Sequence, residues 1–435
     1  MPPTTRQSPP PRKENRAWTI RVLFSGRTVT DPRPHLLPLG EMAIGRATTG
    51  PYDLTYDDSA MSRRHATIER SATSVQFHDH SRNGSLVNGT KAHDIALEDG
   101  DLICCGNTFA VIRFEPISPD DAHVEGLLGV SALARKVRAA VAEVAATDTT
   151  VVFQGETGTG KAVAARAVHE LSGRDGVWIQ LNCAAIPESM AESTLFGHTK
   201  GAFAGANKDQ KGYFSDADGG TLFIEEIADL ELELQAKLLD ALDHAEATPV
   251  GGTRPVRFDT RLVTASNKDL SAEVSADRFR ADLHARLAAV VIWIPPLRER
   301  IEDMLGVLVD RLGEHPPLSP DLVAALLEYH WPDNFRELDR IAIDLSVRGA
   351  GYEELVVELV QGALQSAHMR PAKTAPSHQP PPRRPAPPTR DELEDLLVAH
   401  RGSVAPLVRE LGRSAKQVYR WLAEHGLDPE TFRSG

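Results

Sequence analysis

The loop Gly155-Glu156-Thr157-Gly158-Thr159-Gly160-Lys161 follows the β-branched run Thr149-Thr150-Val151-Val152-Phe153 and leads into the alanine-rich stretch Ala162 to Leu171. A strand, a glycine loop and a helix start, in that order, make a nest of backbone N–H groups at the positive end of a helix dipole. Phosphate is the ligand that suits such a nest. The pattern therefore points to ATP or GTP, cradled by Gly155, Glu156, Thr157, Gly158, Thr159, Gly160, Lys161 and Ala162. Ala162 stands where a P-loop usually carries Ser or Thr to touch Mg²⁺, so the metal must be held from elsewhere. Downstream, Gly219-Gly220-Thr221-Leu222-Phe223-Ile224-Glu225-Glu226 reads as an apolar strand ending in two carboxylates. Acids ending the strand beside the P-loop strand can hold Mg²⁺ and orient an attacking water. Each motif alone has a bland alternative, a glycine turn or the start of a solvated loop. Their occurrence together favours phosphoryl-transfer chemistry.

These groups need a scaffold, and the chain is long enough for about three domains at roughly 150 residues each. With 435 residues, 41% hydrophobic and 25% charged, its composition is that of an ordinary globular protein. No apolar run reaches the ~18 residues of a membrane span, and the proline-rich basic segment Met1 to Arg16 has no apolar core, so a cytoplasmic location is expected. Cys104, Cys105 and Cys183 have neither zinc-site nor disulfide spacing, and the histidines form no H-E-x-x-H pair. A formal net charge of −13 excludes a protein that coats nucleic acid with its whole surface. Any DNA contact must come from a local basic element.

Short β-rich runs, Trp18 to Phe24, His65 to Ile68, Val75 to Asp79, Leu102 to Cys105 and Phe109 to Phe114, predict an all-β sandwich over 18–115 after a disordered segment 1–17. A linker, 116–125, comes next. Over 126–300, strands at Val151 to Phe153, Trp178 to Leu181, Thr221 to Ile224, Leu262 to Ala265 and Val290 to Ile294 alternate with helical patterns. That alternation predicts a parallel sheet covered on both faces. Residues 301–364 read as a helical lid, 365–389 as a proline-rich tether, and 390–435 as a small all-α unit.

The stretches Leu181-Asn182-Cys183-Ala184-Ala185-Ile186-Pro187-Glu188, Leu195-Phe196-Gly197-His198-Thr199-Lys200-Gly201-Ala202-Phe203 and Pro295-Pro296-Leu297-Arg298-Glu299-Arg300 surround the two motifs. With them, 126–364 resembles the AAA+ domain of sigma-54-dependent transcriptional activators. The resemblance implies a ring-forming ATPase, hexameric when assembled, that remodels the closed complex of sigma-54 RNA polymerase. By motif, Lys161 would neutralise the β/γ-phosphates, Glu225 would hold Mg²⁺ and Glu226 would polarise the attacking water. Asn182 would restrain that glutamate, Asn267 would sense the γ-phosphate, Arg280 and Arg286 would reach into the neighbouring subunit's site, and Arg336 would couple nucleotide to the lid. The loop Gly201-Ala202-Phe203-Ala204-Gly205-Ala206 would contact sigma-54. Three positions depart from the family pattern: Ala204 replaces its threonine, Glu225 its usual aspartate, and Ala162 an acidic residue.

Within the β region, Ile44-Gly45-Arg46, Met61-Ser62-Arg63-Arg64-His65 and Asp79-His80-Ser81-Arg82-Asn83-Gly84-Ser85, followed by Val87-Asn88-Gly89, resemble a forkhead-associated (FHA) domain. Arginines on loops suit charge-assisted bonds to a phosphate. The implied ligand is a phosphothreonine peptide held by Arg46, Ser62 and Arg63, with Asn83 or Asn88 gripping its backbone and His65 buttressing the loop. At the other end, Val404 to Leu411, Gly412-Arg413-Ser414 and Ala415 to His425 resemble a Fis-type helix-turn-helix. Arg413, Lys416, Gln417 and Arg420 would then face DNA, or the two helices would form a dimerisation hairpin.

Taken together, the expected protein is an ATP- and Mg²⁺-dependent regulator at sigma-54 promoters, bound to enhancer DNA and governed by a phosphothreonine-containing protein from a Ser/Thr kinase pathway. Two other readings stay open. One is a DNA-bound phosphopeptide adaptor or repressor that binds ATP without activating sigma-54, which Ala204 favours; the other is an ATPase that remodels a different protein.

Overall fold

A computed structural model describes residues 16–117 and 123–368, with Leu397 and Leu427 alone beyond them. Contacts divide the chain into Met1–Ala375 and Pro376–Gly435. The helix-turn-helix expected at 390–435, with Arg413, Lys416, Gln417 and Arg420, lies outside the described residues.

The N-terminal region is a sandwich of two sheets. One is built on the antiparallel pair Arg16–Ser25 and Thr108–Pro116, the other on Gly40–Gly45, Ala66–Arg70 and Val75–Asp79. Alternate residues face inward, so Ile20, Val22, Ala110 and Ile112 meet Met42, Ile68 and Phe77 in a closed core. The first sheet is apolar on its outer face as well. Phe109 and Val111, one step out of phase with Ala110 and Ile112, join a cluster with Met304, Leu308 and Leu326. A register shift between Val22 and Phe24 brings Leu23 and Phe24 together into the same cluster; such bulges re-aim side chains.

The next region holds five parallel strands in the order Trp178–Asn182, Thr221–Glu225, Arg261–Ser266, Val151–Gln154, Val290–Trp293. Both faces are covered as expected: Val151, Phe153, Val263 and Ala265 pack on Val141, Ala164 and Val168, while Leu222, Ile224 and Leu262 pack on Leu195, Leu238 and Leu283. One expectation fails. The acid-bearing strand is not beside the P-loop strand, because Arg261–Ser266 pairs with both and separates them. Strand neighbours lie about 4.8 Å apart, so the carboxylates must span one extra strand to reach the glycine loop.

The lid is formed by the helices Met304–Leu312, Pro320–Leu327, Asn334–Arg348 and Gln361–His368. Trp331, fully buried, gives its ring N–H to the carbonyl of Leu326 at 3.1 Å, and the Tyr329 hydroxyl donates to Glu337 at 2.9 Å. Among the described residues no helix is long and apolar enough to cross a membrane. The three cysteines are unbridged, and burial pushes each thiol up to about 12, which leaves them unreactive.

Candidate active site

The glycine loop leaves the sheet at Gln154 and is held from three sides. Gly155 gives its N–H to the carbonyl of Ser266 at 3.2 Å, and Gly160, at φ +102°, opens the helix Lys161–Leu171. Gly158 sits at φ +77° with the Asp333 carbonyl only 2.0 Å from where a Cβ would be, so any side chain there would force the lid away. The Lys161 ammonium donates to the carbonyls of Gly155 at 2.8 Å and Glu156 at 3.0 Å. Burial lowers its pKa; the charges of Glu226 and Glu225 oppose that shift and Arg336 adds to it. Lys161, Asn182, Glu225, Glu226 and Arg336 thus converge on one cavity of about 330 Å³, floored by Thr157 to Ala162.

Sheet register explains part of the cluster. Asn182 and Glu225 are direct partners across parallel strands, and the Asn182 amide donates to the Glu225 carboxylate at 3.3 Å. The restraint expected on Glu226 falls instead on its neighbour: the strand ends at Glu225, and Asn182 reaches this first of the two acids. Glu226 is held differently. Its backbone is left-handed at φ +51°, and its carboxylate accepts the backbone N–H of Asn267 at 3.0 Å. A non-glycine residue in that region is strained and common at functional sites. Paired carboxylates facing the cavity are an oxygen donor set that fits a hard divalent cation.

Arg280 and Arg286 are not part of this gathering. Arg280 is exposed and bidentate to Asp282 at 3.0 and 2.8 Å, while Arg286 meets Asp243 at 3.2 Å. The loop Gly201 to Ala206 closes on itself through Gly201 N–H to the Ala206 carbonyl at 2.8 Å. Phe203 there is 43% exposed with its ring 4.9 Å from that of His198.

Three residues near the glycine loop were not foreseen. Arg298 is bidentate to Glu156 at 2.7 and 2.5 Å, and Arg300, buried, donates to the Thr159 carbonyl at 3.1 Å. Asn334, fully buried at φ +52°, accepts Leu297 N–H at 2.7 Å and donates to the Thr157 carbonyl at 3.0 Å and to Glu156 at 3.3 Å. Burial alone would raise the Glu156 carboxyl, but hydrogen bonds from Arg298 and Asn334 overcome it and hold the pKa low. The stretches that carry these residues were visible as motifs; their direction toward the loop was not.

In the sandwich, Arg46 N–H donates to the Ser62 carbonyl at 3.0 Å and Ala47 N–H to that of Arg63 at 2.9 Å, which places Arg46, Ser62 and Arg63 side by side. His65, 1% exposed, accepts Ser62 N–H at its Nδ1 at 2.9 Å, the buttress expected of it. His80 N–H to the His65 carbonyl at 2.8 Å joins this loop to the turn that carries Asn83. Asn88 is committed elsewhere: its amide donates to Asp101 at 2.8 Å and its oxygen accepts Leu102 N–H at 2.9 Å.

Residues 127–293 match the sigma-54 interaction domain, and residues 42–106 match the FHA domain. The chain carries an FHA domain followed by a sigma-54 interaction domain. It is 49% identical over 224 residues to the anaerobic nitric oxide reductase transcription regulator NorR of Vibrio vulnificus strain YJ016, covering 49% of this chain and 44% of that protein. To NorR of Salmonella agona strain SL483 it is 43% identical over 276 residues, covering 61% and 53%. The chain thus spans about half the length of these curated relatives. Its structure is similar to that of NtrX from Brucella abortus in complex with ATP, at 26% identity and a TM-score of 0.51, covering 69% of each chain. The sigma-54 interaction domain coincides with the α/β sheet and its side of the cavity, while the lid, which adds Arg336 to the cavity, lies C-terminal to the matched segment.

Proposed function

We propose that this protein is a sigma-54-dependent transcription regulator whose AAA+ domain hydrolyses ATP, under control of phosphothreonine-peptide binding to its FHA domain. The observation that carries the reading is the convergence of Lys161, Glu225, Glu226 and Arg336 on a cavity floored by glycine-loop N–H groups. With ATP there, the loop N–H groups and Lys161 neutralise the phosphates; Lys161 must leave the carbonyls of Gly155 and Glu156 to do so. Glu225, steadied by Asn182, would hold Mg²⁺, which when bound neutralises charge on the β- and γ-oxygens. Glu226 would orient the attacking water, and its bond from the backbone N–H of Asn267 ties it to the end of the strand Arg261–Ser266. Arg280, held by Asp282, and Arg286, held by Asp243 and the Leu242 carbonyl, are both exposed and available to complete the site of an adjoining subunit in a ring. Guanidinium groups suit that task because they meet phosphate oxygens in bidentate fashion.

The result of remodelling would be promoter opening by sigma-54 polymerase, with enhancer DNA held by the C-terminal segment. ATPase rate measured against protein concentration, with and without a phosphothreonine peptide, tests catalysis, assembly and sensing together. A flat rate per subunit would sink the ring. A second reading, a DNA-bound adaptor that binds ATP without activating sigma-54, is favoured by Ala204, which removes a hydroxyl from the exposed loop beside Phe203. Transcription in vitro with sigma-54 polymerase separates the two.

A further inference from the structure

The segment Leu297 to Asp303 links the α/β sheet to the lid, and its polar groups are tied to several different parts of the molecule. Arg298 holds Glu156 of the glycine loop, and Arg300 holds the Thr159 carbonyl while lying 4.7 Å over the Phe335 ring. Asp303 accepts the N–H groups of Val130 and Ser131 at 2.6 and 2.7 Å, fixing the start of the helix Ala132–Ala145. A further attachment comes from the FHA domain. Arg113 donates to the Glu302 carboxylate at 3.2 and 2.5 Å and to the Glu299 carbonyl at 3.1 Å. Arg113 follows Phe109 and Val111 on one face of its strand, and those two are embedded among lid residues. The guanidinium is therefore delivered on a rigid, packed sheet.

We propose that Arg113 is a positioning residue for the nucleotide pocket: the FHA domain grips the segment between core and lid, and through Arg298 and Arg300 keeps the glycine loop in its binding arrangement. This rests on the ATPase reading above. An exposed ion pair would carry little weight here, but Glu302 is 4% exposed, and removing its partner strands a carboxylate in the interior. Arg300, two residues before Glu302 on the same segment, is the group that holds Thr159. Loss of Arg113 thus releases the segment that carries both Arg298 and Arg300, the two arginines that hold the glycine loop.

The experiment is stopped-flow dissociation of a fluorescent ATP analogue from the full chain, wild type against Arg113→Ala. Arg27→Ala serves as control, because it severs another pair between the FHA domain and the lid, with Glu354, far along the chain from the hinge segment. Arg113→Ala is expected to speed dissociation by on the order of tenfold, a fraction of the full cost of breaking a buried pair, with Arg27→Ala unchanged. Glu302→Gln, which removes the charge and keeps the shape, should follow Arg113→Ala and serves if that variant does not fold. Equal rates in wild type and Arg113→Ala, or an equal effect of Arg27→Ala, would overturn the clamp. Absence of nucleotide binding by the wild type would instead overturn the proposed function itself.

Discussion

Asn334 offers the sharpest check on how the lid holds the glycine loop. Replacing it by alanine removes the acceptor of Leu297 N–H and the donors to Thr157 and Glu156. An orphaned buried N–H costs about 1–3 kcal/mol, and the two other lost bonds, one to a carbonyl and a long one to a carboxylate, about 1 each. Alanine must also hold φ +52°, which asparagine tolerates and which costs a further ~1 kcal/mol. The sum is about 4 kcal/mol of local stability for Asn334→Ala. Asn334→Gly, which is at ease in that backbone region but makes none of the bonds, should lose about 3 kcal/mol. The difference between the two variants isolates the backbone contribution. Native-state amide exchange at Leu297 and at residues 155–161 reads local opening directly, and both should exchange far faster in the variants than in the wild type. Unchanged protection at Leu297 in Asn334→Ala would show that the asparagine does not bridge lid and loop.

Other outcomes follow from the same geometry. Arg280→Ala and Arg286→Ala should each keep ATP binding and lose hydrolysis by on the order of 10³. Mixing either with Lys161→Ala should restore partial turnover, and variants that hydrolyse normally would remove the neighbouring-subunit role. Ala204→Thr should raise open-complex formation at a sigma-54 promoter by several fold without changing ATPase rate; an unchanged yield would free the loop of that role. His65 has its pKa lowered by burial, against the opposing charges of Asp79 and Asp58, so the folded state binds fewer protons there than the unfolded chain. The FHA domain should therefore lose stability as pH falls through the ordinary histidine range near 6.5 and regain it above. Amide exchange at Ser62, corrected for its intrinsic rate, should speed between pH 7.5 and 5.5, and a flat response would contradict a neutral, accepting imidazole.

Much of this was legible from residue order. The five core strands appear where apolar runs predicted them, because strands buried on both faces read as continuous Val, Ile and Phe. The glycine loop, the acid pair and the loop arginines of the FHA domain declare themselves by type and spacing. Strand order does not, since nothing in Leu262 to Ser266 says that it inserts between Thr221–Glu225 and Val151–Gln154. The Asn182 contact depends on register, and the Asn88 commitment on a long-range turn, neither of which short patterns encode. The strand Gly40–Gly45 escaped notice because glycine bounds it and its apolar content is short. The clamp at Arg113 was invisible for a different reason: the run Phe109 to Ile112 signals burial on both faces, but not what provides the second cover.

That second cover has a practical and evolutionary corollary. A fragment cut at residues 18–115 would carry Leu23, Phe109 and Val111 into water as a naked greasy wall, and it should clump when expressed alone. The sandwich is less a detachable cassette than a half of something, and any recombination that moved it to another motor would have to bring matching lid surface along.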